Sequence, residues 1–130
     1  MTLHKMKLNA EPFDMIKQGE KTIELRLNDD KRRQVQVGDQ IIFERLNDLT
    51  QTIQVDVIAL HPFPSFEELY QALPLLECGY TSNNVETASP KDMEAYYSLE
   101  QQEHYGVLGI EISLSDHFSL SCSAPIYFLL

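Results

Sequence analysis

Apolar and polar side chains alternate along several short stretches of this chain, as they do in strands with one buried face. Four such stretches lie in the first half, at residues 3–8, 21–28, 40–46 and 52–60. A fifth stretch, at residues 107–112, predicts a last core strand. Short strands with turns between them favour a meander that curls into a small β-barrel.

Helices are predicted around this barrel from the residues that begin and end them. Residues 11–17 suit a short helix, with Pro12 in its first turn and Gly19 placed to end it in a left-handed conformation. Serine N-caps predict three further helices, which begin after residues 65, 89 and 98. The segments 28–33 and 77–88 are predicted to be loops. The expected fold class is therefore α+β, a small β-barrel with flanking helices.

Length and composition fit one globular domain. With 130 residues, of which 43% are apolar, the chain can bury a core without disulfides or metals. Cys78 and Cys122 lie far apart and outside any CxxC spacing, which argues against a disulfide framework and a zinc site. The scattered histidines lack metal-binding spacing, so neither a metal nor a cofactor is expected.

The absence of a long apolar run and of a signal-peptide core predicts a cytoplasmic protein without a membrane span.

The distribution of charge bears on possible partners. The net charge is −10, with a net of +2 over residues 1–33 and of −12 over residues 34–130. A protein that coats long nucleic acid is usually basic overall. We therefore expect no long duplex DNA as partner. A nucleic-acid site would be local, in the N-terminal quarter, and would take single nucleosides or short single strands.

The strand at residues 21–28 carries the strongest candidate chemistry. Glu24 and Arg26 share one face of this strand, and Lys21 lies at its beginning. A guanidinium offers a planar fork to phosphate, and a carboxylate accepts from an exocyclic amine or a sugar hydroxyl. A partly desolvated lysine beside an arginine would have a lowered pKa, which suits a base or a nucleophile. The structural alternative is a surface lysine and an exposed ion pair of little energetic value.

Further candidate contacts come from basic and aromatic side chains. Lys31, Arg32 and Arg33 form a basic cluster, which is either a solvated loop or a phosphate-binding surface. Tyr96 and Tyr97 are the aromatic pair least suited to joint burial, because adjacent helix residues face different ways. They are therefore the best candidates for stacking on a base.

Three segments together resemble the ASCH (activating-signal-cointegrator homology) domain family, whose members are PUA-like β-barrels. The first is residues 12–26, which end Gly-Glu-Lys-Thr-Ile-Glu-Leu-Arg, and the others are residues 37–43 and 105–112. The resemblance implies an ASCH domain of the bacterial single-domain type over residues 1–112. Residues 113–130 then form a tail of unassigned role, whose apolar end is expected to dock on the body or to make an oligomer contact.

The resemblance also implies a function. Family members are proposed to bind RNA or a nucleotide-like ligand in a cleft beside the Gly-x-Lys-Thr segment, and this is the leading interpretation, with Lys21, Glu24 and Arg26 as ligand-binding residues. One branch of the family removes the acetyl group from N4-acetylcytidine with a lysine, a threonine and a glutamate. Lys21 matches the lysine, whereas Glu24 occupies the position of the threonine and Thr22 is a nearby hydroxyl. The alternative is therefore an amidohydrolase with Lys21 as base or nucleophile, assisted by Thr22 or Glu24. A third possibility is an adaptor that acts through its acidic surface and its tail.

Overall fold

A mixed five-stranded sheet, curled into half of a barrel, forms the centre of the computed structural model, which describes residues 1–115. Its order is β1-β3-β4-β5-β2. β1 and β3 run parallel, and the other neighbouring strands are antiparallel. The strands are β1 (Leu3–Leu8), β2 (Ile23–Leu27), β3 (Gln40–Arg45), β4 (Asp48–Phe63) and β5 (Val107–Leu114). The predicted α+β fold, a small barrel with flanking helices, is confirmed.

Three α-helices lie beside the sheet within residues 1–115: α1 (Ala10–Lys17), α2 (Phe66–Ala72) and α3 (Leu99–Tyr105). The predicted serine caps of α2 and α3 are present. The helix predicted after Ser89 is a 3-10 helix, Pro90–Ala95, and Ser89 caps it as predicted. Further 3-10 turns lie at Arg32–Gln34, Leu75–Glu77 and Val85–Thr87, of which the first overlaps and the last lies within a predicted loop.

β4 is longer than its alternation predicts because it pairs with a neighbour on each side. One end pairs with β3 through Asp48 and Arg45, and the other pairs with β5 through Phe63 and Val107. A register shift next to Ile58 interrupts the second pairing, and such bulges bend a strand and increase its twist. This bend helps the sheet to curl. β5 itself runs to Leu114, two residues past the predicted strand end.

Two apolar clusters pack on opposite sides of β5. The first joins α1 to β1, β3, β4 and β5, and includes Phe13, Phe43, Val55 and Ile110. The second joins α2 to β2 and includes Leu25, Phe66, Leu69 and Val107. Adjacent residues of β5 thus serve different clusters, as the two-residue period of a strand requires.

The end of α1 sets the start of β2. The helix ends at Lys17, and Gly19 has the predicted left-handed conformation, with φ of +80°. The backbone N–H groups of Glu20 and Lys21 then donate to the carbonyl of Met15. This tight turn fixes the position of Lys21 between the end of α1 and the start of β2.

The curled sheet brings its two edge strands close together. Arg26, on β2, donates through Nη2 to the backbone carbonyl of Lys7, on β1, over 2.7 Å. Edge strands carry unpaired backbone groups, and this contact satisfies one of them. The two edges approach each other at the place where the candidate site opens.

The structure bears on the remaining sequence predictions only in part. Among residues 1–115, no helix is both long and apolar enough to cross a membrane. The apolar end of the tail, predicted to dock on the body or to make an oligomer contact, belongs to residues 116–130, which lie outside the described part of the chain. Both alternatives stay predictions.

Asp39 connects the start of β1 to the turn before β3. Its carboxylate accepts from the backbone N–H groups of Thr2 and Gln36, and lies 2.8 Å from Nε2 of His4. The hydrogen bonds from His4, Thr2 and Gln36 lower the pKa of Asp39 to about 2 from its ordinary value of 3.8. The network therefore stabilises the fold only while this carboxyl is ionised.

The pH dependence of stability tests this network. Because the native pKa of Asp39 is depressed, its contribution is present above about pH 3.8 and is lost as the pH falls towards 2. We expect Asp39→Asn to reduce the slope of unfolding free energy against pH between about 2 and 4, measured by urea denaturation. The exposed Asp30→Asn is the matched control. An equal slope in the parent and in both variants would contradict the assignment.

Candidate functional site

A cleft of about 380 Å³ lies between the two sheet edges and the segment that follows α2. The strands and the start of α1 line one side, with Lys7, Glu11, Lys21 and Arg26 among the polar residues. Four tyrosines line the other side: Tyr70, Tyr80, Tyr96 and Tyr97. We call this second side the tyrosine wall. The cleft thus combines charged groups with large aromatic surfaces.

Three charged side chains form an ion triad in the cleft. Glu24 Oε1 lies 2.9 Å from Lys21 Nζ, and Glu24 Oε2 lies 2.7 Å from Arg26 Nε. Lys21 and Glu24 retain only 8% and 4% of their accessible surface, so this is a buried charge network and not the exposed ion pair of the structural alternative. Two cations thus share one carboxylate, and over the whole lining the cations of Lys7, Lys21 and Arg26 face an equal number of carboxylates, those of Glu11, Glu24 and Asp92.

Electrostatics keep the central carboxylate ionised. Burial alone would raise the pKa of Glu24, but the charges of Lys21 and Arg26 and their hydrogen bonds outweigh it and hold the pKa below its ordinary value of 4.5. Burial alone would likewise lower the pKa of Arg26, and Glu24 reverses this and raises it. Glu24 and Arg26 therefore each keep the other ionised.

The backbone at Gly79 packs against the lysine of the triad. Its φ is +113°, and a Cβ there would lie 3.4 Å from both Cδ and Nζ of Lys21. Glycine suits this position because it adopts the conformation without strain and leaves room for the side chain. The preceding Cys78 is buried, and burial raises the pKa of its thiol to about 11. A thiol of this pKa is neutral at pH 7 and is a poor nucleophile.

A chain of hydrogen bonds crosses the tyrosine wall. Tyr70 Oη and Tyr80 Oη lie 2.7 Å apart, and Tyr80 donates to Oδ2 of Asp92 over 2.6 Å. The same Asp92 oxygen accepts from the backbone N–H of Ser89, as part of the cap of the 3-10 helix. Burial raises the pKa of Tyr70, and burial together with the hydrogen bond to Asp92 raises that of Tyr80. Both phenols are therefore protonated at neutral pH.

Tyr96 and Tyr97 differ in how firmly they are held. Tyr97 stacks on Phe66 of α2, with ring centroids 6.2 Å apart and an angle of 18° between the planes. Tyr96 also lines the cleft but leaves 63% of its surface exposed. The two tyrosines predicted to resist joint burial thus both reach the cleft, and Tyr96 is the one that offers an exposed ring.

The structure brings together some predicted site residues and separates others. Lys21, Glu24 and Arg26 meet in the cleft. Thr22, predicted as a catalytic hydroxyl, is not among the residues that line this cleft, and its Oγ1 donates to Glu77 Oε1 over 3.1 Å. A catalytic role for Thr22 stays a prediction.

The basic cluster lies outside the cleft lining in the described part of the chain. Lys31 donates to the carbonyl of Lys5 on β1, and Arg33 donates to the carbonyls of Asn28 and Tyr105. Arg32 forms an ion pair with Asp29. These contacts attach the segment to its neighbours, and a ligand-binding role for Lys31, Arg32 and Arg33 stays a prediction.

Several residues of the cleft were not predicted from the sequence. Tyr70 and Asp92 carry the hydrogen-bond chain, and Gly79 packs on Lys21. Asp92 had a sequence signal, since Ser89-Pro90-Lys91-Asp92 is a helix-start pattern, but that pattern indicates a cap and not a ligand site. Within residues 1–115, no group of three or more His, Cys, Asp or Glu side chains is arranged to hold a metal ion.

Comparison with known proteins gives matches over most of the chain. The sequence profile of the ASCH domain matches residues 6–115. One similar structure is the crystal structure of hypothetical protein PH0355, from Pyrococcus, with a TM-score of 0.71. Its sequence is 32% identical, and the match covers 88% of this chain and 100% of that chain. The solution structure of protein PF0455 from Pyrococcus furiosus is 30% identical with a TM-score of 0.67, covering 89% and 99%. Curated protein sequences give no significant match.

The ion triad makes a prediction about stability. Glu24→Gln leaves Lys21 and Arg26 buried without a counter-charge, and loss of one partner from a buried ion network costs about 3–5 kcal/mol. We expect a loss of this size in unfolding free energy, measured by urea denaturation at pH 7. The exposed Glu20→Gln is the control and should match the parent. A Glu24→Gln protein as stable as the control would show that the triad does not stabilise the fold.

Proposed function

This chain belongs to the ASCH domain family, and from that membership we propose that its cleft binds RNA through a single nucleotide, or binds a free nucleotide-like ligand. The observation that carries the proposal is that the ion triad and the four tyrosines of the tyrosine wall line the same cleft. Lys21 and Arg26 provide positive charge for a phosphate, and Tyr96 provides an aromatic face for a base. One nucleotide presents both of these groups.

The size of the cleft supports a small ligand. A volume of about 380 Å³ lies at the lower end of the range of small-molecule sites, which is about 300–1,000 Å³. The net charge of −12 over residues 34–130 repels extended polyanions. The partner is therefore a single-stranded segment or a free nucleotide, and not long duplex DNA. The proposed location is the cytoplasm.

Replacement of Tyr96 tests the stacking contact. Tyr96→Ala should weaken binding of a short single-stranded RNA or of nucleoside 5′-monophosphates by about 1–3 kcal/mol, roughly 5- to 150-fold, because base–aromatic stacking is lost. Isothermal titration calorimetry at low salt measures this change. Since Tyr96 is 63% exposed, the fold should remain intact.

A matched control distinguishes stacking from loss of exposed apolar surface. Leu99 is also 63% exposed but lies at the start of α3, away from the cleft lining. Leu99→Ala should bind like the parent. Equal weakening in both variants would exclude a specific Tyr96 contact, and absence of binding by the parent to every RNA and nucleotide would overturn the proposed function.

Hydrolysis of a modified nucleoside such as N4-acetylcytidine is the second candidate function. One observation favours it: Lys21 Nζ lies in the cleft only 2.9 Å from Glu24, so a proton can pass between them. In this reaction Lys21 would first pass its proton to Glu24, and the neutral amine would then take a proton from water, so that the resulting hydroxide attacks the acetyl carbonyl. The proton taken from water would pass to the departing cytidine amine, giving cytidine and acetic acid, and Glu24 would return its proton to Lys21.

Product formation separates the two candidates. If the cleft is catalytic, incubation with N4-acetylcytidine should release cytidine, and Lys21→Gln should lower the rate by about 10²- to 10⁴-fold, as loss of a general base does. Chromatography of the nucleosides measures the rate. Lys17→Gln, at the exposed end of α1, is the matched control. Release at the uncatalysed rate would reject the hydrolase and leave nucleotide binding as the function.

A further inference from the structure

Hydrogen-bond direction across the tyrosine wall is set from one end. Asp92 Oδ2 accepts from Tyr80 and from the backbone N–H of Ser89. An ionised carboxylate only accepts, so Tyr80 supplies the proton of its bond to Asp92. A phenol has a single proton, and Tyr80 has therefore none left for Tyr70.

The direction of the next bond follows. Tyr70 and Tyr80 lie 2.7 Å apart, and either oxygen alone could be the donor. Because the proton of Tyr80 is directed to Asp92, Tyr70 donates to Tyr80. Tyr70 Oη then keeps only lone pairs for any further partner. The chain from Asp92 through Tyr80 to Tyr70, here called the tyrosine relay, turns the hydroxyl at its end into an acceptor.

We propose that the tyrosine relay makes Tyr70 a specificity-determining residue, which favours a ligand ring with an exocyclic amine over the same ring with a carbonyl. The proposal rests on nucleotide binding in this cleft and adds which bases are selected. An amine donates to Tyr70 Oη, whereas a carbonyl would place two acceptors in contact. In a cleft from which water is excluded, neither of these two acceptors finds a donor, so the carbonyl loses the free energy of the hydrogen bond that it made with water.

The surroundings of Tyr70 hold the relay in place. Tyr70 is 9% exposed and meets the ring of Tyr80 edge to face, with centroids 5.8 Å apart. Asp92 is fixed at the other end by the cap of the 3-10 helix. The relay is therefore held at both of its ends.

Cytidine and uridine 5′-monophosphates test the proposal, since they differ by an amine and a carbonyl at one ring position. The parent should bind the cytidine nucleotide about tenfold more tightly, as expected for one hydrogen bond gained against one mismatch. Tyr80→Phe removes the partner that takes the proton of Tyr70. Tyr70 can then turn this proton into the cleft and donate to a carbonyl, so the ratio of the two affinities should fall towards one.

Two further variants keep the test decisive if Tyr80→Phe folds poorly. Asp92→Ala frees the direction of the relay and should also reduce the ratio. It breaks the helix cap as well, so Ser89→Ala, which damages the same cap but leaves the relay, is the control and should keep the parent ratio. Isothermal titration calorimetry supplies both affinities.

The possible outcomes separate the proposal from the function on which it depends. Equal binding of both nucleotides by the parent would overturn the relay's role but leave nucleotide binding intact. A cytidine preference that survives both Tyr80→Phe and Asp92→Ala would also overturn it. Failure of the parent to bind either nucleotide or RNA would reject the proposed function and this proposal together.

Discussion

The buried carboxylate of Glu24 is the group on which both the fold and the site depend. It lies between Lys21 and Arg26, and Arg26 also reaches across to the backbone of β1. Taking charges out of water is expensive unless they are paired and hydrogen-bonded. Antiparallel pairing with β5 fixes Glu24 opposite Ile110, and the turn at Gly19 fixes Lys21. The backbone thus assembles the triad before any ligand arrives.

The same pairing limits what the cations can do for a ligand. A phosphate that approaches Lys21 or Arg26 competes with a carboxylate already held at 2.9 and 2.7 Å. Attraction by the triad is therefore weaker than that of two unpaired cations at the same distances. Discrimination among ligands must then come from directional contacts, which the tyrosine wall supplies. In the proposed function, the cleft would therefore select a base more than capture anionic polymers.

The sequence predicted features that depend on neighbours along the chain. Strand alternation, the left-handed Gly19 and the serine caps of α2 and α3 involve residues a few positions apart, and all are present. The meeting of Lys21, Glu24 and Arg26 was predictable for the same reason. The longer extent of β4 was not, because it depends on pairing with both β3 and β5.

Contacts between distant segments could not be predicted in the same way. Thr22 is held by Glu77, 55 residues away in the sequence, and Lys31 by the carbonyl of Lys5. The tyrosine relay joins residues 70, 80 and 92, whose spacing follows no helical or strand period. No pattern in one sequence brings such residues together. The sequence therefore indicated the charged residues of the cleft together with Tyr96 and Tyr97, whereas the hydrogen-bonded chain of Tyr70, Tyr80 and Asp92 emerged only from the fold.

A local capping motif sets the hydrogen bonding of the tyrosine wall. The carboxylate of Asp92 accepts a hydrogen bond from the backbone N–H of Ser89, and this bond belongs to the helix cap. Because the same oxygen accepts from Tyr80, the cap also sets the proton positions of two phenols in the cleft. A capping box readable in the sequence thus determines which hydrogen-bonding group the cleft presents to a ligand. The carboxylate of Asp92 therefore serves the helix cap and, in the proposed relay, the selection of the ligand as well.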